Sequence, residues 1–279
     1  MKKKIEKALP KIVGKLINTS SHVSKSYAAN KAMALFATPR KGKLTPNQRA
    51  FLKSAKTLEL QHDGLKITTY QWAAKGKTIL LAHGWESNSA RWKNLISVLQ
   101  KHHYNIVALD APAHGNSGGD TFNAILYAEF INEVSKKFQP EIIIGHSVGG
   151  MASIFFQKKY QLASLKKMIL LGAPNEFKDI FKNYTNLLNY NSKVINALED
   201  LVIKRFGAPP ESFSSAKHSV SIQVEGLIIH DKKDRIIPFN DSKAIHENLK
   251  NSKLVPTVGY GHALNSDEVH QHILTFLKQ

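Results

Sequence analysis

The stretch that decides the fold is Ile142-Ile143-Ile144-Gly145-His146-Ser147-Val148-Gly149-Gly150, in which an apolar run passes directly into a helical pattern. Three consecutive isoleucines are typical of a strand covered on both faces, as in a parallel sheet. The turn reads Gly-x-Ser-x-Gly. Such a sharp turn strains its central residue, and the flanking glycines keep neighbouring side chains from colliding. The pattern predicts that the Ser147 hydroxyl lies at the carboxyl end of a sheet.

The alternation of apolar runs and helical patterns extends along the chain from residue 57 onwards. Eight runs are predicted to be strands: Thr57–Leu60, Lys66–Trp72, Thr78–His83, Asn105–Asp110, Glu141–Gly145, Lys167–Leu171, Gly226–His230 and Leu254–Val258. Five patterns are predicted to be helices: Ala90–Lys101, Phe122–Phe138, Val148–Tyr160, Asp241–Leu249 and Asp267–Leu277. Repeated strand–helix units favour a mostly parallel sheet with helices on both faces. Only a short turn separates the first two strands, which predicts an antiparallel hairpin at one edge.

The interval from Pro174 to Val224 is longer than one crossover helix requires, and it carries two helical patterns of its own. We interpret residues 175–223 as a small helical cap inserted into a domain that spans residues 51–279. Residues 1–50 form a basic, mostly helical N-terminal extension in this interpretation. The apolar side chains of the cap either line an acyl-sized pocket or form the cap's own core, and both alternatives stay open.

Composition excludes several classes of function. The chain of 279 residues has ordinary globular composition and no cysteine, which excludes disulfides, a thiol nucleophile and thiolate metal sites. No His-Glu-x-x-His or comparable pattern predicts a metal site. The absence of cysteine fits a cytoplasmic location. Charged residues and Pro10 interrupt the apolar stretch that a signal peptide would need, so none is expected.

The net charge of +18 is concentrated near the N-terminus, where residues 1–60 hold fourteen Lys and Arg against Glu6 and Glu59. One helical face there is apolar and the other is basic; the apolar face consists of Ile5, Ala8, Leu9, Ile12 and Leu16. This face either packs on the protein core, which we favour, or lies on an anionic membrane through residues 1–20. Aromatic residues are sparse among the lysines, so no nucleic-acid binding is expected.

A serine nucleophile needs a base within reach and a group that orients the base. In a parallel sheet these groups are expected in loops that follow the strands. Asp231 and Asp234 come directly after the predicted strand Gly226–His230, and His262 follows the last strand. The order serine, acid, histidine is the one that hydrolases with this turn require.

These residues resemble those of the α/β-hydrolase-fold serine hydrolases, which are esterase-, lipase- or thioesterase-like, over roughly residues 57–279. In that family the acid lies in an Asp-x-x-[Val/Ile]-Pro pattern. Asp234-Arg235-Ile236-Ile237-Pro238 matches it, so the resemblance favours Asp234 as the acid. Asp231 is then interpreted as a turn former. Glu176, after the sixth strand, is a weaker candidate for the acid.

The resemblance also assigns an oxyanion hole. His83-Gly84-Trp85 matches the family's His-Gly-x pattern, which implies the backbone N–H of Trp85 as one donor beside that of Val148. Glu86 departs from the pattern and is interpreted either as a solvated charge or as a contact to a polar substrate group. Asp110–Ser117 resembles a family loop with a structural role, so neither Asp110 nor His114 is assigned to catalysis.

Together these features predict a serine hydrolase with an eight-stranded α/β-hydrolase sheet. It is expected to cleave a carboxylic ester or thioester of a small or acyl-type substrate through a covalent acyl-enzyme. Ser147 is the expected nucleophile, His262 the base and Asp234 the group that orients it, with no cofactor. A peptidase or acyltransferase on the same triad is an alternative, as is a non-catalytic, membrane-associated binding module using the basic N-terminus. The oligomeric state is not predicted.

Overall fold

The computed structural model describes the backbone of residues 2–279 and the side chains of residues 9–279. Within this range eight strands form one sheet: β1 Lys56–His62, β2 Leu65–Trp72, β3 Thr78–Ala82, β4 Asn105–Leu109, β5 Ile142–His146, β6 Lys167–Leu171, β7 Glu225–Asp231 and β8 Ser252–Thr257. Their order is β1-β2-β4-β3-β5-β6-β7-β8. Strands β1 and β2 pair antiparallel, as do β2 and β4, and the other neighbours are parallel. The predicted mostly parallel sheet and its edge hairpin are confirmed.

The helices of the same range are α1 Lys2–Ser20, α2 Lys25–Ala37, α3 Pro46–Leu52, α4 Lys93–Gln100, α5 Ala124–Phe138, α6 Val148–Tyr160, α7 Phe177–Leu187, α8 Ser192–Phe206, α9 Ser215–Ser219, α10 Phe239–Asn248 and α11 Asp267–Leu277. Side-chain caps set several of their starts. The Asn123 amide oxygen accepts the N–H of Leu126, so α5 begins two residues later than predicted. The predicted helix Ala90–Lys101 begins with the 3-10 turn Ser89–Trp92.

One compact unit, here called the sheet unit, consists of Pro39–Asn175 and Ser215–Gln279. Alternation along each strand sends successive side chains to opposite faces of the sheet. Leu81, Ile144 and Ile229 pack in a cluster that includes residues of α3, α4 and α11. Helices α5, α6 and α10 contact strands of the same sheet. The sheet unit thereby holds the carboxyl ends of β3, β5, β7 and β8 in one rigid frame.

A second compact unit, here called the helical unit, joins the N-terminal segment through Thr38 to Glu176–Ser214. Small residues of α2, such as Ala28 and Ala32, share one buried cluster with Val194, Leu198 and Val202 of α8. The sequence pattern divides the chain at residue 50 and treats residues 175–223 separately. The contacts instead group the first two helices with the inserted ones, because the alanines of α2 allow close packing.

Helix α1 packs through a different face from the one that the sequence predicts. Gly14 is buried so closely that a Cβ there would stand 1.7 Å from the carbonyl oxygen of Leu188. Leu9, Ile12 and Leu16 are instead 54%, 56% and 67% exposed, so the prediction that they pack on the core is wrong. The side chains of Ile5 and Ala8 lie outside the described residues. Among residues 2–279, no helix combines the length and apolar character that crossing a membrane requires.

Candidate active site

Ser147 occupies the turn between β5 and α6 in a backbone conformation that non-glycine residues rarely adopt, with φ 52° and ψ −127°. Its N–H donates to the Leu171 carbonyl of the adjacent strand at 2.8 Å, which fixes the turn to the sheet. Gly149 makes the turn possible, because a Cβ there would stand 2.3 Å from the Ala82 carbonyl oxygen. The sequence therefore folds locally so that the Ser147 side chain lies at the carboxyl end of β5.

His262 connects Ser147 to Asp234. Its Nε2 lies 3.0 Å from Ser147 Oγ, and its Nδ1 lies 2.7 Å from Asp234 Oδ2. The Asp234 side chain is fully buried, and that of His262 is 20% exposed. The three residues follow β5, β7 and β8, whose carboxyl ends meet at one edge of the sheet. The structure thus brings together the three side chains that the sequence proposed for nucleophile, base and orienting acid.

His230, which the sequence interpretation missed, also contacts Asp234. This fully buried residue of β7 places Nε2 3.2 Å from Asp234 Oδ2 and 3.0 Å from the Ile237 carbonyl oxygen. Its Nδ1 lies 2.6 Å from Ser242 Oγ. Because the carbonyl can only accept, Nε2 carries the proton and Nδ1 accepts from the Ser242 hydroxyl. The only signal in the sequence was a histidine within an otherwise apolar strand.

Asp234 is held in its ionised form despite its burial. Burial by itself raises the pKa of this carboxyl group, but hydrogen bonds from His230 and His262 act in the opposite direction. The backbone N–H groups of Ile236 and Ile237 also donate to Oδ1, at 2.8 and 3.1 Å. The balance places the pKa of Asp234 well below its ordinary value. Both carboxylate oxygens are therefore charged acceptors whose orientation is fixed.

The turn that carries His262 is fixed from three sides. His146 Nε2–H donates to the His262 carbonyl at 2.8 Å. The guanidinium of Arg91 donates to the Ala263 carbonyl at 2.9 Å, and burial lowers the pKa of Arg91 to about 10. The Asp231 carboxylate accepts the Tyr260 N–H at 2.8 Å, and it also accepts the N–H of Lys233 in its own loop at the same distance. Asp231 is thus a turn former, as expected, and His146 and Arg91 add two contacts that were not foreseen.

The loop that follows β3 lies beside the nucleophile turn. A Cβ on Gly84 would stand only 2.9 Å from the Ser147 Cβ, so the glycine permits this close approach. The next residue is Trp85. On the other side of Ser147, Val148 is the first residue of α6, where helix N–H groups have no intrahelical acceptor and the helix dipole is positive. The two backbone segments proposed for the oxyanion hole therefore flank Ser147.

Two buried histidines brace this loop in their neutral form. His83 donates from Nδ1 to the Gly84 carbonyl at 2.8 Å and accepts the Ala111 N–H at Nε2. His114 accepts the Glu86 N–H at 2.9 Å. Burial lowers the pKa of both histidines, that of His83 most strongly. Each ring can act as an acceptor only while it stays neutral, so the loop conformation is coupled to their protonation.

The remaining acidic candidates have partners of their own. Glu86 Oε1 accepts the Arg40 N–H at 3.0 Å, so this carboxylate fixes a neighbouring loop. Asp110 accepts the N–H and hydroxyl of Ser89, and burial raises its pKa. Glu176, in the helical unit, accepts the Ser214 hydroxyl. In the part of the chain that the structure describes, no group of three or more His, Asp or Glu side chains is arranged to hold a metal ion.

The sheet topology and the family comparison agree on the fold. Residues 77–198 match the family model described as the alpha/beta hydrolase fold. Together with the eight-stranded sheet and the turn at Ser147, this match shows that the chain has the α/β-hydrolase fold.

Curated relatives span most of the chain. It is 24% identical over 268 residues to a bifunctional esterase/perhydrolase of Acinetobacter calcoaceticus, covering 77% of this chain and 97% of the relative. It is 23% identical to an AB hydrolase superfamily protein of Bacillus subtilis, covering 69% of this chain and 87% of the relative. The family match and the esterase relative support a hydrolase activity.

Solved structures share the fold. An esterase from Exiguobacterium antarcticum superposes with a TM-score of 0.61 at 20% identity, covering 80% of this chain and 100% of the other. A thioesterase domain from the curacin biosynthetic pathway superposes with a TM-score of 0.60 at 18% identity, covering 80% and 99%. At these identities the likeness concerns the fold alone.

Proposed function

We propose that the protein is a serine hydrolase that cleaves a carboxylic ester or thioester through an acyl-enzyme. The observation that carries this proposal is the position of His262 between Ser147 Oγ and Asp234 Oδ2, at 3.0 and 2.7 Å. Similarity to a bifunctional esterase/perhydrolase supports an ester as the substrate.

In the first half of the proposed reaction, Ser147 Oγ attacks the carbonyl carbon of the substrate while its proton passes to His262 Nε2. The resulting imidazolium is stabilised by the ionised Asp234, which also keeps the neutral ring protonated at Nδ1 beforehand. The oxyanion receives hydrogen bonds from the backbone N–H groups of Trp85 and Val148. Collapse of the tetrahedral intermediate expels the alcohol or thiol, which takes the proton from His262, and leaves an acyl ester on Ser147.

In the second half, His262 removes a proton from a water molecule, whose oxygen attacks the acyl carbon. Collapse of this second intermediate returns the proton to Ser147 and releases the carboxylic acid. No step requires a cofactor. Ser147 Oγ already lies 3.0 Å from His262 Nε2, so the hydroxyl needs no rearrangement to transfer its proton, which supports this role.

A fluorophosphonate probe tests the proposed nucleophile. We expect the wild-type protein to be labelled and Ser147→Ala not to be. Ser153→Ala is a matched control, because Ser153 is a buried serine of α6 whose hydroxyl donates to the Gly149 carbonyl. Equal labelling of wild type and Ser147→Ala would refute the proposal. Hydrolysis of p-nitrophenyl esters and acyl-thioesters of increasing chain length then separates ester from thioester preference.

A further inference from the structure

Helix α1 carries an exposed apolar stripe, defined here as Leu9, Ile12 and Leu16. These side chains are 54%, 56% and 67% exposed and lie three and four residues apart, which places them on one helical face. A different face of α1 attaches the helix, because Gly14 is buried against Leu188 and Ile17 packs on the core of the helical unit. The apolar stripe is therefore not needed to hold α1 in place, and folding leaves it in water.

Further exposed apolar side chains follow in the same segment. Val23, in the turn between α1 and α2, is 92% exposed, and Tyr27 in the first turn of α2 is 55% exposed. Exposure of single apolar residues is ordinary, whereas several such residues in one short segment mark an interaction surface.

The charged side chains that the structure describes in α1 and α2 are all lysines. Lys11, Lys15, Lys25 and Lys31 are exposed in the same two helices. Residues 7–58 contain no Asp or Glu at all. Apolar side chains beside lysines on one helix are the pattern of helices that lie in the interface of an anionic membrane. A second copy of this chain would bring like charges together, so self-association through this surface is disfavoured.

We propose that α1 docks on the surface of an anionic phospholipid bilayer. The stripe enters the boundary between headgroups and acyl chains, while Lys11 and Lys15 contact lipid phosphates. This inference does not depend on the proposed hydrolase activity, because none of its residues belongs to the candidate active site. It assigns the surface to one partner, an anionic lipid bilayer.

Co-sedimentation with vesicles tests the docking. We expect the full-length protein to sediment with phosphatidylcholine vesicles that contain phosphatidylglycerol and not with pure phosphatidylcholine, with binding that weakens as salt is raised. The double variant Ile12→Glu/Leu16→Glu should abolish binding. Lys11→Gln/Lys15→Gln should weaken it about 25-fold, at about fivefold per lysine near an anionic surface.

Matched controls make the same kinds of substitution at exposed positions of the sheet unit. Val220→Glu alters a residue of the sheet unit that is 50% exposed, and Lys101→Gln/Lys158→Gln removes the same charge from exposed positions of that unit. Both controls should bind like the wild type. Because all substituted side chains are exposed, circular dichroism and melting temperature should not change, which separates loss of docking from loss of folding.

A fluorescent reporter gives an independent readout. The chain has no cysteine, so Leu16→Cys creates a single site for an environment-sensitive dye. The emission of the dye should shift to shorter wavelength with anionic vesicles, and that of a dye at Val220→Cys should not.

The proposal is overturned if the wild type fails to bind anionic vesicles, or if stripe variants and wild type bind equally. It is also overturned if the stripe variants dissociate a dimer in light scattering while vesicle binding is unchanged. Loss of hydrolase activity in Ser147→Ala should leave vesicle binding intact.

Discussion

Replacing Asp234 with Asn tests how the candidate site orients its base. Asp234 Oδ2 faces two N–H donors, His262 Nδ1 at 2.7 Å and His230 Nε2 at 3.2 Å, while Oδ1 accepts two backbone N–H groups. If the Asn oxygen keeps the backbone contacts, its NH₂ group points at both imidazoles. His262 can accommodate this only by moving its proton to Nε2, where it can no longer accept the Ser147 proton. We expect kcat to fall about 10⁴-fold, or about 5.5 kcal/mol in activation free energy.

The assay is steady-state hydrolysis of a p-nitrophenyl ester, with thermal unfolding measured in parallel. Asp231→Asn is the matched control, because Asp231 is an equally buried carboxylate whose contacts are to the loops rather than to the imidazole of His262. We expect this control to lower kcat by less than about tenfold. If Asp234→Asn keeps more than about a tenth of the wild-type kcat, or if Asp231→Asn loses as much, the assigned tautomer of His262 is wrong.

Three further predictions concern the surroundings of the triad. His230→Phe should lower kcat about tenfold at unchanged KM, because Asp234 loses one of its hydrogen-bond donors. His230→Gln should restore part of the lost kcat. A change confined to KM would contradict a positioning role. Gly84→Ala should lower kcat about 10- to 100-fold. The Cβ of the new alanine would stand 2.9 Å from the Ser147 Cβ, below the 3.4 Å of ordinary contact, and would displace the nucleophile. An unchanged kcat would contradict this prediction. Burial lowers the pKa of His83 and His146 well below the ordinary value, so the unfolded chain binds more protons than the folded one below about pH 6.5. The melting temperature should therefore fall from pH 7 to pH 5. For each of the two histidines, the free energy of unfolding should fall by up to about 1.4 kcal/mol per pH unit. A melting temperature that does not change over this range would refute the prediction.

Much of the sheet follows from local sequence. Apolar runs such as Ile142–Ile144 can be buried on both faces, and β5 and β6 form where the pattern predicts them, with boundaries that differ by at most one residue. The order of Ser147, Asp234 and His262 after successive strands was also visible, because parallel strands end at one edge. Helix starts shifted where a side chain such as Asn123 capped the backbone.

Contacts set by tertiary geometry were not predictable. The bond between His230 and Asp234 depends on how the loop after β7 returns over the strand end, and the contact of Arg91 with Ala263 joins residues that are far apart in sequence. Helix α1 shows a different limit. It has apolar residues on two faces, and Gly14 decides which face packs by allowing close contact with Leu188. A hydrophobic pattern shows where apolar residues lie on a helix, but it does not show where a glycine allows such a close contact between two backbone segments.

The helical unit is assembled from two widely separated stretches, which has a consequence for biosynthesis. The face of α2 that contains Ala28 and Ala32 packs with residues of α8, and about 170 residues lie between the end of α2 and the end of α8. At about 5–20 residues per second, a ribosome needs roughly 10 to 30 s to make that stretch. During this interval the N-terminal helices emerge without their packing partner and are accessible to chaperones. The nascent chain can complete the helical unit only after most of the sheet unit has been translated.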